Sequence, residues 1–286
     1  MFGEILRSFR KQNGLSQLEF VNALQQSSKN FNNLDVVTLS RWERGATKPH
    51  LNRQNQILDM LGYNIFDIWL DQNNINNLPA YVKRLDNHGY FNELDVNNIE
   101  IVILNSTNLD LIKRYTNIFE IIFNFERNLI LEKMEESGLM RESIVAKLIE
   151  QYGGEVTIAL IDGQLIAHIF SLHYDVISDY LGRDIMSVNE NSYFILSFNC
   201  VSSSVLPKIL GREVYRYMHS FNPNTKLVVY VNNSLNFDLF FSLSFEYRSI
   251  PAEPFSFKLM NIESKVLKSQ RVWMNILSQY KDYNDV

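Results

Sequence analysis

The sequence has 286 residues, 46% of them hydrophobic, which is enough material for one or two domains with a hydrophobic core. Its single cysteine, Cys200, excludes an intramolecular disulfide and favours a reducing compartment. The N-terminus lacks the basic and then apolar pattern of a signal peptide, and no apolar run has the length of a membrane span. We therefore expect a cytoplasmic protein without a membrane partner.

The formal net charge of −5 is unevenly divided along the chain. Residues 1–64 carry eight Lys and Arg against five Asp and Glu, a charge of +3, whereas the remainder carries 19 against 27, a charge of −8. Clustered positive charge attracts a phosphate backbone, and a negative body discourages indiscriminate coating of DNA. This division predicts nucleic-acid binding by the N-terminal part alone.

The N-terminal part has the pattern of several short helices. A first helix is predicted over residues 3–13, a second opens near Leu15, and a last one covers residues 51–61. Ser16 and Glu19 have the spacing of a capping box, in which each side chain satisfies an N–H group of the other's turn. These signals predict a small helical domain over residues 1–64.

The segment from Asp35 to Gly45 predicts a further short helix. Asp35 is a favourable N-cap residue, and Gly45 stands where a glycine commonly ends a helix. Leu39 and Trp42 are three residues apart, so both can face a small core. The other faces of this helix therefore remain available for a partner.

Residues 38–45, Thr-Leu-Ser-Arg-Trp-Glu-Arg-Gly, followed by Lys48-Pro49, resemble the recognition helix of the Cro/repressor-type (XRE) helix-turn-helix family. The resemblance covers about residues 3–63. One departure is the connection over residues 25–34, which is several residues longer than the family's tight turn.

The resemblance implies double-stranded DNA as the partner, with an inverted-repeat operator and a homodimer assembled through residues after about 65. Side chains at base edges would be Val36, Val37, Thr38 and Arg41. Side chains nearer phosphates would be Gln17, Ser40, Arg44 and Lys48.

The rest of the chain alternates between strand and helix patterns. An Asn-rich linker is predicted over residues 65–95, a second domain over 96–260 and a C-terminal helix over 261–286. Predicted strands cover residues 99–104, 156–161, 164–174, 193–201, 226–231, 245–250 and 255–260. Predicted helices cover residues 109–128, 129–152 with an interruption near Ser137-Gly138, 206–219, 233–243 and 262–280.

This order of elements over about residues 96–260 resembles the GNAT N-acetyltransferase fold. Residues 229–246 are similar to that family's strand-Asn-helix ending, and residues 208–213 take the place of its phosphate-binding loop. The fold class expected is therefore multi-domain, with an all-α helix-turn-helix head and an α/β (α+β) GNAT-like mixed-sheet body.

The residues that carry the family's chemistry are partly replaced. Glu213 stands where a Gly or Ala is expected in the phosphate loop, and Phe240 stands where a tyrosine would protonate the leaving thiolate. No carboxylate lies on the strand 193–201 to act as a base. We therefore expect no catalytic residue and no cofactor, with acetyl-CoA or another acyl-CoA as the alternative. Residues that could still hold a ligand are Lys208, Gly211, Arg212, Asn233 and Phe240.

Other polar candidates predict no site. His168 and His173 are five apart on one predicted strand, so they point to opposite faces and cannot share a metal ion. Cys200 lies on a predicted buried strand, where cysteine commonly serves as a small apolar side chain. We expect no metal site.

The function expected is sequence-specific DNA binding by a transcription regulator, whose silent body serves dimerisation or senses a small molecule or peptide. One alternative is an active N-acetyltransferase that carries a DNA-binding head. Another is an antitoxin-type protein that represses its own operon. The sequence does not specify the operator, the sign of regulation or the effector.

Overall fold

The chain divides into two compact units. Residues 1–65 belong to the first unit together with Lys268–Met274, and the other residues from 98 onwards belong to the second. The structure is a computed structural model. It describes residues 1–65, 68, 98–173, 176, 179–180, 192–220, 225–252 and 256–284, without the side chains of residues 125–126 and 281–284. Most of the predicted linker, residues 65–95, lies outside this range.

Residues 1–65 of the first unit contain four α-helices. Their bounds are Phe2–Gln12 (α1), Gln17–Ser27 (α2), Val36–Glu43 (α3) and Leu51–Met60 (α4). The predicted inward positions of α3 are confirmed, since Leu39 and Trp42 are both buried. Leu6 of α1, Leu24 of α2 and Ile57 of α4 are also buried, so each of the four short helices, which would be marginal alone, contributes apolar side chains to a small core.

The predicted caps of the first unit are confirmed. The Ser16 hydroxyl accepts from the Glu19 N–H, and the Glu19 carboxylate accepts from the Ser16 N–H at 2.7 Å. The Asp35 carboxylate accepts from the Thr38 N–H at 2.6 Å. Each cap satisfies an N–H group that the first turn of a helix leaves unpaired.

The long connection between α2 and α3 is folded rather than open. It contains a short 3₁₀ helix, Lys29–Phe31, and it buries the side chains of Phe31 and Leu34. The Arg53 guanidinium of α4 donates to the Asn30 carbonyl at 2.8 Å and lies over the Phe31 ring. The extra residues therefore extend the small core, which explains how α3 is held despite the longer connection.

The second unit is built on a seven-stranded mixed sheet. The strands are Ile99–Leu104 (β1), Glu155–Ile161 (β2), Gln164–Leu172 (β3), Ser192–Cys200 (β4), Lys226–Val231 (β5), Glu246–Ile250 (β6) and Phe257–Glu263 (β7). Their order is β1-β2-β3-β4-β5-β7-β6. Among these seven described strands, the β4–β5 pair is parallel and the other five pairings are antiparallel.

Helices cover both faces of this sheet. The helices of this part of the chain are Thr116–Glu126 (α5), preceded by a 3₁₀ turn at Leu109–Tyr115, then Leu129–Glu136 (α6), Arg141–Tyr152 (α7), Leu206–Ser220 (α8), Ser234–Ser242 (α9), Ser264–Leu267 (α10) and Arg271–Asn284 (α11), whose first four residues belong to the first unit. Strand alternation assigns the faces. Phe257 and Leu259 of β7 join the core of α5, α6 and α7, whereas Lys258 between them lies over the Phe237 ring of α9.

The structure confirms one predicted boundary and corrects another. The break near Ser137-Gly138 is confirmed, because α6 ends there and Gly138 has a φ of +85°. The strand predicted over 255–260 instead runs to Glu263, so the predicted helix 262–280 starts later and is divided into α10 and α11. A buried strand with flanking helix formers gives an ambiguous pattern, which accounts for this error.

Gly3 predicts a measurable packing constraint in the first unit. A Cβ there would overlap the Trp42 carbonyl oxygen and lie 3.0 Å from the Trp42 carbonyl carbon. Alanine normally favours a helix over glycine, but the overlap should reverse the sign. We expect Gly3→Ala to lower the free energy of unfolding by about 1–3 kcal/mol. Ser8→Ala, an exposed position of α1, is the matched control. Denaturant unfolding that shows Gly3→Ala to be stabilising would contradict this packing.

Candidate functional site

The first candidate surface is the outer side of α3 in the first unit. Val37 is 59% exposed, and Arg41 and Arg44 are also exposed, while Leu39 and Trp42 on the opposite side are buried. The other predicted contact residues are half-buried or exposed: Gln17, Val36, Thr38, Ser40 and Lys48. The helix therefore presents two cations and one large apolar side chain to solvent. The predicted role of each residue stays a prediction.

A buried carboxylate holds α1, α2 and α3 together beneath this surface. The Arg10 guanidinium donates to both oxygens of Glu43, at 2.6 and 2.9 Å. The Gln17 amide donates to Glu43 at 2.8 Å, so this predicted phosphate ligand has a partner within the protein. Burial opposes ionisation of Glu43, but the bonds from Arg10 and Gln17 outweigh it and hold the pKa below its ordinary value.

Glu43 was missed as an organising residue because its partners lie far away in sequence. Arg10 is 33 residues and Gln17 is 26 residues distant. The available signal was the spacing of Glu43, which stands four residues after the predicted inward Leu39 and therefore on the same side of the helix. A carboxylate at such a position requires a cationic partner.

The second candidate site is the divergence of the two parallel strands in the second unit. The pairing of β4 with β5 joins Ser192–Ile195 to Lys226–Val229 and goes no further, although both strands continue. On the other side of β4, Ser171 pairs with Ile195 and Phe170 pairs with Ser197. Leu196 is thus an extra residue on β4, a β-bulge that bends the strand at the point of divergence.

Two buried asparagine side chains reach β4 beyond the end of this pairing. The Asn128 amide donates to the Leu196 carbonyl at 2.7 Å, and the Asn236 amide donates to the Phe198 carbonyl at 2.8 Å. Asn128 is the N-cap residue of α6, and Asn236 lies in the first turn of α9. Because α6 and α9 cover opposite faces of the sheet, β4 is held from both sides here.

The turn before α6 also contacts β5. The Leu129 N–H donates to the Tyr230 hydroxyl at 3.2 Å, and the Asn232 amide donates to the Arg127 carbonyl at 3.1 Å. Arg127 has a φ of +44°, an unusual conformation for a residue with a side chain. Residues 127–129 therefore bridge the diverging strands: Asn128 contacts β4, Leu129 contacts β5 and Arg127 contacts Asn232, directly after β5.

The predicted phosphate loop lies inside α8 rather than ahead of it. The helix begins at Leu206, and the N–H groups of Lys208 and Ile209 both donate to the Val205 carbonyl. Lys208 is half-buried, and burial lowers the pKa of its amine. The first turns of α8 therefore use these N–H groups within the helix.

Gly211 lies against the C-terminal helix α11. A Cβ at Gly211 would lie 2.9 Å from the Tyr280 Cβ and 3.2 Å from the Ile276 carbonyl oxygen. The missing side chain thus permits close packing of two helices. Its predicted contact with a ligand stays a prediction.

The other face of α8 forms a buried ionic cluster with the sheet. Arg212 and Arg216 both contact the carboxylates of Glu155 and Glu213, and Glu213 also accepts from the Tyr193 hydroxyl. Burial, followed by the Glu213 charge, raises the pKa of Tyr193 well above its ordinary value. The two arginines balance the two carboxylates, so the predicted anion ligand Arg212 is engaged internally.

The remaining predicted ligand residues are placed at α9. Asn233 caps the helix by accepting from the Asn236 N–H at 2.8 Å. Phe240 is fully buried, with its ring 5.1 Å from the Phe198 ring and 5.0 Å from the Phe245 ring. Phe240 is therefore a core residue of the second unit, and its hydrocarbon ring has no proton to donate.

His168 on β3 and His173 just after it have separate surroundings. The His168 ring nitrogen Nε2 lies 2.7 Å from the Ser197 hydroxyl, and burial lowers the pKa of His173. Burial also raises the pKa of Cys200 to about 12, which opposes thiolate formation. Within the described ranges, no group of three or more His, Cys, Asp or Glu side chains could hold a metal ion. Each helix in these ranges is too short or too polar to cross a membrane.

No family model matches the chain, and no curated protein matches it at a significant level. An uncharacterized protein from Bacillus halodurans has a similar structure at 13% identity, with 66% of this chain and 94% of that chain covered and a TM-score of 0.40. A probable acetyltransferase from Staphylococcus epidermidis is similar at 14% identity, with 58% of this chain and 99% of that chain covered and a TM-score of 0.37. A GNAT-family acetyltransferase from Streptococcus agalactiae is similar at 12% identity, with 60% of this chain and 99% of that chain covered and a TM-score of 0.35. At these identities and TM-scores, the neighbours establish neither an activity nor a ligand for this chain.

The Glu43 cluster predicts a pH-dependent contribution to stability. Glu43→Gln should lower the free energy of unfolding by roughly 3 kcal/mol at neutral pH, because Arg10 loses its buried partner. The folded-state pKa of Glu43 is lowered, so its contribution is complete above the ordinary value of 4.5 and is lost as the pH falls through the lower folded pKa. The difference between the two proteins should shrink in that acidic window. Exposed Glu136→Gln is the control, and an equal loss for both variants would disprove the assignment.

The strand divergence predicts unequal effects of two identical substitutions. Asn128→Asp keeps the oxygen that caps α6 but replaces the donor to Leu196 with a second acceptor. We expect a loss on the order of 1–3 kcal/mol in the free energy of unfolding. Asn233→Asp, at the exposed N-cap of α9, keeps its acceptor role and should change stability by no more than about 0.5 kcal/mol. Denaturant unfolding of both variants measures the difference, and equal effects would show that the Asn128 donor is dispensable.

Proposed function

We propose that this protein is a sequence-specific DNA-binding transcription regulator. The observation that carries the proposal is the exposed outer side of α3, where Val37, Arg41 and Arg44 stand free of the small core. Asp35 caps the start of the helix, and Gly45, with a φ of +70°, lies just beyond its end. The result is a short helix with one exposed side, and a major groove is wide enough to admit an α-helix. The positive charge of residues 1–64 supports the same partner.

The proposed contacts divide into base readout and phosphate binding. Arg41 projects from α3 and would pair bidentately with a guanine, while Val36 and Val37 would contact thymine methyl groups. Arg44, one turn further at the end of the helix, would meet the phosphate backbone. The Glu43 cluster would act through position, because it fixes α3 relative to α1 and α2 beneath the contact surface.

The second unit is proposed to be a GNAT-like body without transferase activity. Its sheet has the element order on which the sequence resemblance rests, with one parallel pair that diverges. Three features argue against catalysis: Phe240 cannot donate a proton, Arg212 is paired with carboxylates, and Asn128 holds the diverging part of β4. Such a body would serve dimerisation or the sensing of an effector.

Arg41→Ala tests the proposal on DNA. An operator is first selected from random duplexes with the full-length protein, and affinities are then measured by fluorescence anisotropy at fixed salt. Loss of a bidentate contact should relax the preference at one base-pair position by about 5–150-fold, corresponding to roughly 1–3 kcal/mol. Arg44→Ala should instead weaken binding to all sequences alike, with a smaller salt dependence.

Arg114→Ala removes an exposed arginine of the second unit and is the charge-matched control for Arg41→Ala. The control should retain both affinity and preference. If random selection enriches no sequence, or if Arg41→Ala keeps the full preference, the proposal is wrong.

A further inference from the structure

Strand β6 forms one end of the seven-stranded sheet that the described residues make. Among the described strands it pairs only with β7, and its residues from Glu246 to Ser249 are all exposed. An edge strand of this kind offers unpaired backbone N–H and C=O groups to another strand. The fifth residue, Ile250, is buried in the core of α5–α7 and fixes the orientation of the strand.

A cluster of aromatic side chains adjoins this edge. The Tyr247 ring lies 5.0 Å from the Phe237 ring and 6.3 Å from the Phe241 ring of α9. Phe241 is 57% exposed and Tyr247 is 50% exposed, whereas Phe240 of the same helix is fully buried. This aromatic cluster, Phe237, Phe241 and Tyr247, therefore keeps much of its apolar area in water, which marks a contact surface.

The charges of β6 are complementary to those of a second β6. Side chains alternate along a strand, so Glu246 and Arg248 share the face of Ile250, and Tyr247 lies on the face of α9. In an antiparallel pair centred on Tyr247, each Glu246 stands directly opposite the other copy's Arg248. Two ion pairs and a contact between two tyrosines then arise from a single twofold operation.

We infer that β6 pairs with β6 of a second copy of this chain, which makes a homodimer with a continuous sheet and joined aromatic clusters. The inference rests on the proposed function for its use, because a twofold dimer would present two copies of α3 to an inverted repeat. The dimer surface itself follows from the exposure, the ring contacts and the order of charges on β6.

Charged residues on an edge strand can also prevent pairing, and this is the competing interpretation of Glu246 and Arg248. That interpretation accounts for the charges but not for the exposed Phe241 and Tyr247 beside them. It also makes a different prediction, since reversing one charge would then leave a monomer unchanged.

Charge reversal on β6 tests the dimer without DNA. Sedimentation velocity of the full-length protein at micromolar concentration should give a dimer. Glu246→Arg places two arginines opposite each other, and Arg248→Glu places two glutamates opposite each other, so each variant should sediment as a monomer. The double variant restores opposite charges and should dimerise again. An equimolar mixture of the two single variants should form a heterodimer, because every pair in it is complementary.

The aromatic cluster gives a second, independent arm. Phe241→Ser should weaken dimerisation at least tenfold in dissociation constant. Leu235→Ser is its matched control, since Leu235 is 55% exposed on the same helix, about 200° around it from Phe237. The control should leave the dissociation constant unchanged. Circular dichroism and thermal unfolding verify that each variant remains folded.

The outcomes separate this inference from the proposed function. A wild-type monomer, or a dimer that survives both single charge reversals, overturns the β6 interface whatever the protein does with DNA. Binding of a duplex with one half-site, measured with the monomeric variants and with Arg41→Ala, reports on DNA recognition alone. Monomeric single variants, with recovery in the double variant and the mixture, support the interface.

Discussion

Buried backbone carbonyl groups require hydrogen-bond donors, and this requirement shapes the second unit where β4 leaves β5. Leaving such a group unsatisfied costs about 1–3 kcal/mol, which is comparable to the effect of a typical destabilising mutation. Asn128 supplies a donor to Leu196 from one face, and Asn236 supplies one to Phe198 from the other. The start of α6, the turn before it and the start of α9 are all placed by these two contacts. The part of β4 that has separated from β5 is therefore held by hydrogen bonds from both faces of the sheet.

The same arrangement determines what chemistry the body can support. The ionic cluster on α8 pairs its arginines with Glu155 and Glu213, and Gly211 is used for packing against α11. The two arginines, which could bind an anion, and the two carboxylates, which could move a proton, thus make internal contacts. By contrast, Val37 on α3 and Phe241 and Tyr247 beside the edge of β6 are exposed. This distribution is the physical basis for proposing a regulator with a silent body.

Local features of the fold were predictable from the sequence. The capping box of Ser16 and Glu19, the Asp35 cap and the strand Ile99–Leu104 each depend on residues within a few positions of one another. Propensity and periodicity report such short-range relations directly. The helix predicted over residues 206–219 agrees closely with α8. Residues 208–213 within it were nevertheless interpreted as a phosphate-binding loop, because a glycine at position 211 permits close approach either of a phosphate or of a neighbouring helix.

Long-range contacts were not predictable from local patterns. Asn128 and Leu196 are 68 residues apart in sequence, and their contact depends on a β-bulge that the residue types of β4 do not predict. The pairing of Arg10 with Glu43 likewise requires the crossing of α1 and α3. In both cases a buried polar side chain requires a hydrogen-bond partner, but the identity of that partner follows only from the way in which distant elements pack. The candidate site therefore differs most from expectation where distant elements meet.

Calorimetric titration of the full-length protein with acetyl-CoA tests the central claim most directly. A body whose diverging strands are held by Asn128 and Asn236, and whose arginines are paired, should give no heat beyond dilution at micromolar protein concentration. Release of free thiol in the presence of amine acceptors should likewise stay at the rate of spontaneous hydrolysis. Saturable binding accompanied by thiol release above that rate would contradict the account and would make the acetyltransferase interpretation the leading one.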